Sequence, residues 1–195
     1  ICVGAFESGN SRMVTNRQQL ALDGVASASR LYHVDPRRVY VTGMSGGGRV
    51  SSMMLACFPD VFTGAVPIVG LSCYQAVPSG TGKFWPAGYV KPKPEMFNLF
   101  KTRRMAAMTG RKDFNEVEMQ QATSILKMDG VKIKLYDDTV MGHDMPPPEH
   151  FTEAISWVDE LYQTMRGKEV QAATKAMEEY AAKHGDAAPK DEAGR

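Results

Sequence analysis

"VYVTGMSGGGRVSSMM", residues 39–54, decides how this chain is read. A run of strand-forming residues enters a turn of small residues that holds one serine, then leaves it with helical spacing. Glycine stands at positions 43, 46, 47 and 48. Each glycine costs backbone entropy, so a turn with a purely structural duty seldom uses four. Gly43-Met44-Ser45-Gly46-Gly47 fits G-x-S-x-G, the nucleophile elbow, in which a strained serine between strand and helix presents its hydroxyl. Gly43 and Gly47 are expected to keep side chains out of the place where the backbones cross. The strand before the motif and the helix after it are the context the motif requires. Ser45 is the candidate nucleophile.

A serine hydroxyl needs a base to take its proton. Of the four histidines, His33 falls at a helix end, His150 inside a helix and His184 in the tail. His143 alone lies in a loop directly after a strand, in "DDTVMGHDMPPPEH". The third partner is expected between Ser45 and His143, as a carboxylate that fixes the imidazole tautomer and stabilises the imidazolium. Asp113, in "MAAMTGRKDFNE", follows a strand and a glycine turn and takes that place, although aspartate is also common as a plain turn or cap residue. Asp137 and Asp138 stand too near His143 in sequence, and Glu95 lies in a proline-rich insertion.

Working outward from the elbow, apolar runs at 1–6, 38–43, 64–70, 103–110 and 131–138 read as strands, the third weakened by Pro67. Helical patterns occupy 16–36, 47–58, 115–130 and 147–165. This alternation predicts an α/β fold, a mostly parallel sheet with helices on both faces and functional loops at the carboxyl ends of the strands. The domain is expected over 1–166, with a Pro/Gly-rich insertion at about 71–100 that reads as an irregular loop or cap and carries Phe84, Trp85 and Tyr89. These three aromatics are candidates for lining an acyl or aromatic pocket, and packing within the insertion is an equal alternative. From 167 to 195 the composition turns to Ala, Lys and Glu. Val170, Ala173, Met177 and Tyr180 share one helical face, so a helix ending near Gly185 and then a disordered polar end are expected.

Composition bounds the partners. The 195 residues are 43% hydrophobic and 23% charged, which is enough for one substantial core and argues against disorder. A net charge of +1 gives no electrostatic footprint for nucleic acid, and no run approaches the roughly 18 apolar residues of a membrane span. Cys2, Cys57 and Cys73 form no metal-spaced cluster, and the redox compartment stays open. His143, Asp144 and His150 make no recognisable ligand motif, so neither a metal nor another cofactor is expected. The chain begins "ICVGAFESGN", without an initiator Met and inside an apolar run, which points to a fragment or a processed protein.

"DPRRVYVTGMSGGGRVSSMMLACFPDVFTGAVPIVG", "TGRKDFN" and "MGHDMPP" together resemble the esterase branch of the α/β-hydrolase superfamily, in particular polyhydroxybutyrate-depolymerase-like and feruloyl-esterase-like proteins. The resemblance covers most of residues 1–162. It implies a Ser45–Asp113–His143 triad, an acyl-enzyme on Ser45, one oxyanion-hole amide from Gly46 and a small-molecule or polymeric ester as substrate. It also implies further strands upstream, with a loop there supplying the second oxyanion amide. A preceding segment or a partner is therefore expected to complete the sheet. One lost oxyanion donor costs about 10²–10³ in turnover, so an inert hydrolase-like binding module is the competing reading. Acyl transfer and peptide hydrolysis use the same triad and stay open beside ester hydrolysis.

Overall fold

Regular structure in this computed structural model, which describes residues 1–79 and 82–184, begins at helix α1 (Val14–Leu31). A one-turn 3-10 helix at Pro36–Arg38 follows, capped by Asp35, whose Oδ1 accepts the backbone N–H of Arg37 at 2.9 Å. The chain then runs β1 (Tyr40–Met44), α2 (Gly46–Cys57), β2 (Gly64–Ile68), β3 (Val77–Pro78), β4 (Phe84–Trp85) and α3 (Pro94–Thr102). It continues through β5 (Arg104–Gly110), α4 (Glu116–Met128), β6 (Lys132–Asp138) and α5 (Pro148–His184). β1, β2, β5 and β6 form a parallel sheet in that order, and β3 pairs with β4 as a small antiparallel ribbon.

The period of two along each strand divides the core into two layers. Val41, Ala65, Met105, Ala107, Ile133 and Leu135 point to one face, where they meet Met54 and Leu55 of α2, Phe100 of α3 and Met119 and Leu126 of α4. Tyr40, Met44, Val66, Ile68, Ala106, Met108 and Tyr136 point to the other, against Ala154 and Val158 of α5. Helices thus cover both faces of a parallel sheet, the α/β-hydrolase arrangement, and all four strands end on the side where the elbow turns.

Pro67 does not remove β2 from the sheet's interior. The pairing of β2 with β1 runs unbroken from Gly64 to Ile68, whereas toward β5 the paired positions are Gly64, Ala65 and Ile68 only. The missing N–H is absorbed as a local gap in one ladder. Two other expectations change. Residues 1–6 form no strand: Ile1, Val3 and Phe6 are exposed, and an apolar run becomes a strand only where a neighbour takes its hydrogen bonds. The stretch 71–100, expected as an irregular loop or cap, holds the β3–β4 ribbon and α3. Pro94 at the helix start and the apolar pair Phe97 and Phe100 account for α3.

The chain divides into two compact units, Ile1–Asp159 and Glu160–Arg195. The second is helical as far as His184, with Val170, Ala173, Met177 and Tyr180 all exposed. The disordered end expected after Gly185 lies outside the described residues. Among the described residues no helix is long and apolar enough to cross a membrane. Cys57 and Cys73 are free thiols, and burial pushes both up from the usual thiol range.

Candidate active site

The elbow carries real strain. Ser45 sits between β1 and α2 at φ 54°, ψ −116°, a left-handed conformation that costs a non-glycine residue on the order of 1–3 kcal/mol. Its backbone N–H donates to the Ile68 carbonyl at 2.8 Å, and its carbonyl accepts from Arg49, so the turn is pinned from both sides. A Cβ added to Gly43 would lie 2.6 Å from the Gly47 carbonyl carbon, whereas one added to Gly47 meets nothing within 4 Å. The two motif glycines therefore differ: Gly43 makes room, and Gly47 contributes the backbone it makes room for. Gly43→Ala is expected to lower the melting temperature by several degrees. Gly47→Ala is expected to leave it unchanged or slightly higher, because alanine is the better helix former, by roughly 1 kcal/mol. Thermal unfolding followed by circular dichroism checks the pair.

Beyond the elbow, β5 and β6 deliver the other two side chains. His143 Nε2 lies 2.8 Å from Ser45 Oγ, and His143 Nδ1 lies 2.7 Å from Asp113 Oδ1. The Asp113 carboxylate can only accept, which assigns the ring proton to Nδ1 and leaves Nε2 free to accept the Ser45 hydroxyl. Asp113 is buried, and its charge is held by further donors: Thr109 Oγ1 to Oδ2 at 2.8 Å and the Asn115 N–H to Oδ1 at 3.1 Å. The Phe114 ring stacks on the imidazole with centroids 4.1 Å apart. Thr109, Asn115 and Phe114 did not stand out in the sequence. The readable sign was Thr109, a polar residue inside an apolar strand and four positions before the acid.

The loop that carries His143 is tied to the end of β5. A Cβ on Gly110 would collide with the Met141 carbonyl oxygen, so only glycine lets the two loops meet. Asp138 Oδ1 accepts the N–H groups of Val140 at 2.7 Å and Met141 at 3.0 Å, and Oδ2 pairs with His150 Nδ1 at 3.0 Å. Those backbone donors, helped by His150, hold the Asp138 carboxyl below the usual range.

A cavity of about 330 Å³ opens beside Ser45 and Gly46. Gly46 is the first residue of α2, so its N–H has no intrahelical partner and points out of the positive end of the helix. Trp85 lines the cavity with Arg49, whose guanidinium stands 4.2 Å from the Trp85 ring centre. Tyr89 instead packs edge-on against Tyr74 in the core, and Phe84 is exposed on β4. Arg49 is gripped by buried Glu118, with Nη2 to Oε2 at 2.6 Å and Nη1 to Oε1. Glu118→Gln leaves that charge unmatched and is expected to cost about 3 kcal/mol, the lower end for a broken buried pair because Arg49 keeps some contact with water. Urea titration measures it.

A serine, a histidine and a buried carboxylate joined in this order on a parallel α/β sheet define a serine hydrolase of the α/β-hydrolase fold. The chain belongs to the prolyl oligopeptidase family, which it matches over residues 6–193. It is 40% identical over 86 residues to poly(3-hydroxyalkanoate) depolymerase C of Paucimonas lemoignei, a stretch that covers 43% of this chain and 20% of that protein. Among solved structures it is similar to the Bacillus cereus carboxylesterase, at 16% identity and a TM-score of 0.53 over 81% of this chain and 67% of that one. A carboxylesterase from Mesorhizobium loti gives 13% identity and a TM-score of 0.51, over 74% of this chain and 60% of that one.

Proposed function

We propose that the protein hydrolyses carboxylic esters through an acyl-enzyme on Ser45. The observation that carries this reading is the hydrogen-bonded chain from Ser45 Oγ through both ring nitrogens of His143 to Asp113. His143 Nε2 takes the hydroxyl proton as Oγ attacks the ester carbonyl, and the Gly46 amide receives the developing oxyanion. The tetrahedral intermediate collapses, the C–O bond to the alcohol breaks, and His143 returns the proton to the leaving oxygen. Water, deprotonated by the same nitrogen, then attacks the acyl carbonyl and releases the acid and free Ser45. Asp113 keeps the imidazole in the required tautomer and faces the imidazolium charge at both steps. Within the esters, hydroxyalkanoate oligomers are the favoured substrates, a choice supported by the stretch shared with the Paucimonas lemoignei depolymerase.

Peptide hydrolysis is the second reading, favoured by the family match over residues 6–193. The test is direct. The chain is incubated with 4-nitrophenyl butyrate, with a 3-hydroxybutyrate trimer and with prolyl-peptide anilides, and products are followed by absorbance and mass spectrometry. Ester cleavage that disappears in Ser45→Ala supports the proposal. Cleavage of the anilides alone selects the second reading, and ester cleavage that survives Ser45→Ala contradicts the assignment of the nucleophile.

A further inference from the structure

We infer that Arg17 makes the cavity beside Ser45 a site for esters that carry a free carboxylate. The inference deepens the hydrolase reading and rests on it for the reaction, though not for the binding. Arg17 belongs to α1, is 7% exposed and lines the same cavity as Ser45 and Gly46. Among the described residues its guanidinium makes one hydrogen bond, Nη1 to Asn10 Oδ1 at 3.2 Å, and that acceptor is neutral. Nε is buried and has no hydrogen-bond partner among the described residues. A buried cation without an opposite charge beside it is costly, because a neutral acceptor offsets only part of its lost hydration.

The second arginine of the cavity shows the contrast. Arg49 is matched by Glu118 and is further met by Asn115 Oδ1 and the Leu71 carbonyl. Among the described residues no Asp or Glu lines the cavity, and the acids next in sequence to its lining residues are committed elsewhere. Asp113 is bound by His143, Thr109 and Asn115, and Glu7 pairs with Arg12. Arg17 thus brings a charge without an acidic partner to a cavity that is also lined by the apolar side chains of Val14, Val50, Met53, Trp85 and Phe114. A carboxylate brings the missing charge and two acceptors in the geometry that a guanidinium fork fits, and the apolar walls take the hydrocarbon between it and the ester. The free acid end of a short hydroxyacid oligoester has this chemistry.

Binding to the Ser45→Ala chain, read by isothermal titration and by Trp fluorescence, separates this inference from the question of turnover. Two ester acids are each compared with their neutral methyl esters: monomethyl glutarate, with the anion on the acyl side, and 3-acetoxybutyrate, with the anion on the alcohol side. At least one anion is expected to bind about tenfold more tightly than its methyl ester. Adding Arg17→Gln should abolish that preference, and Arg17→Lys should retain part of it. Circular dichroism establishes that the variants fold, and the comparison of acid with methyl ester stands without them. Equal binding of acid and methyl ester in both pairs, no binding of either acid at millimolar concentration, or a preference that survives Arg17→Gln overturns the inference. Fluorophosphonate reaction at Ser45 in the unaltered chain reports on the hydrolase reading separately.

Discussion

His143→Ala is expected to lower turnover of a 4-nitrophenyl ester by about 10⁶-fold, with the melting temperature little changed. The expected size follows from the position of the imidazole. Its Nε2 is 2.8 Å from Ser45 Oγ and its Nδ1 is spent on Asp113, and among the described residues Ser45 Oγ has no other hydrogen-bond partner to take its proton. Without the ring, the hydroxyl is a poor nucleophile and the leaving alkoxide has no acid to protonate it. The His143 side chain is partly exposed and sits in a loop, so the strands and both core layers do not depend on it. Because members of a triad act as a unit, combining His143→Ala with Ser45→Ala should cost little more than either alone. Steady-state kinetics on the three variants, with thermal unfolding beside them, checks both points.

Asp113→Asn is expected to cost about 10⁴ in kcat with a small change in KM. The asparagine amide can donate, so it allows the ring proton to move to Nε2, where it faces Ser45 Oγ and blocks general-base action. The loss is electrostatic as well, since the imidazolium formed during attack loses the buried carboxylate 2.7 Å away. Asp113 also anchors its own loop, through Thr109 and the Asn115 N–H. Thr109→Val separates the two roles. It removes a donor to Oδ2 while leaving the acid in place, and a fall in kcat of about tenfold is expected from weakened orientation alone. A loss as large as that of Asp113→Asn would mean that the loop, not the charge, is the sensitive element.

The elbow was readable because everything it needs is contiguous: strand, small-residue turn and helix occupy 40–57 without a break. Asp113 and His143 were readable from order, since each follows a strand and the loops at that end of a parallel sheet converge. Ser45 and His143 are 98 residues apart, and only the predicted sheet relates them. What the sequence did not disclose depends on neighbours that no local pattern names. Phe114 stacks on His143, and Arg17 reaches Asn10 at the cavity, yet in sequence one reads as a loop aromatic and the other as a charged residue of an amphipathic helix. The strand expected at residues 1–6 does not form for the converse reason, because apolar character supplies the propensity for a strand but not the partner it needs. Helix α3 was hidden by the prolines around it, although Pro94 at its first position favours a helix start.

Every step proposed for this site requires Ser45 to be an activated nucleophile in the folded chain. Fluorophosphonate labelling of the chain, with the adduct located by peptide mass spectrometry, tests it most directly. Heat-denatured protein and Ser45→Ala serve as controls. One adduct is expected, on Ser45, in the native chain and in neither control. A demonstrably folded chain that takes up no label, or takes it up on another residue, would contradict it.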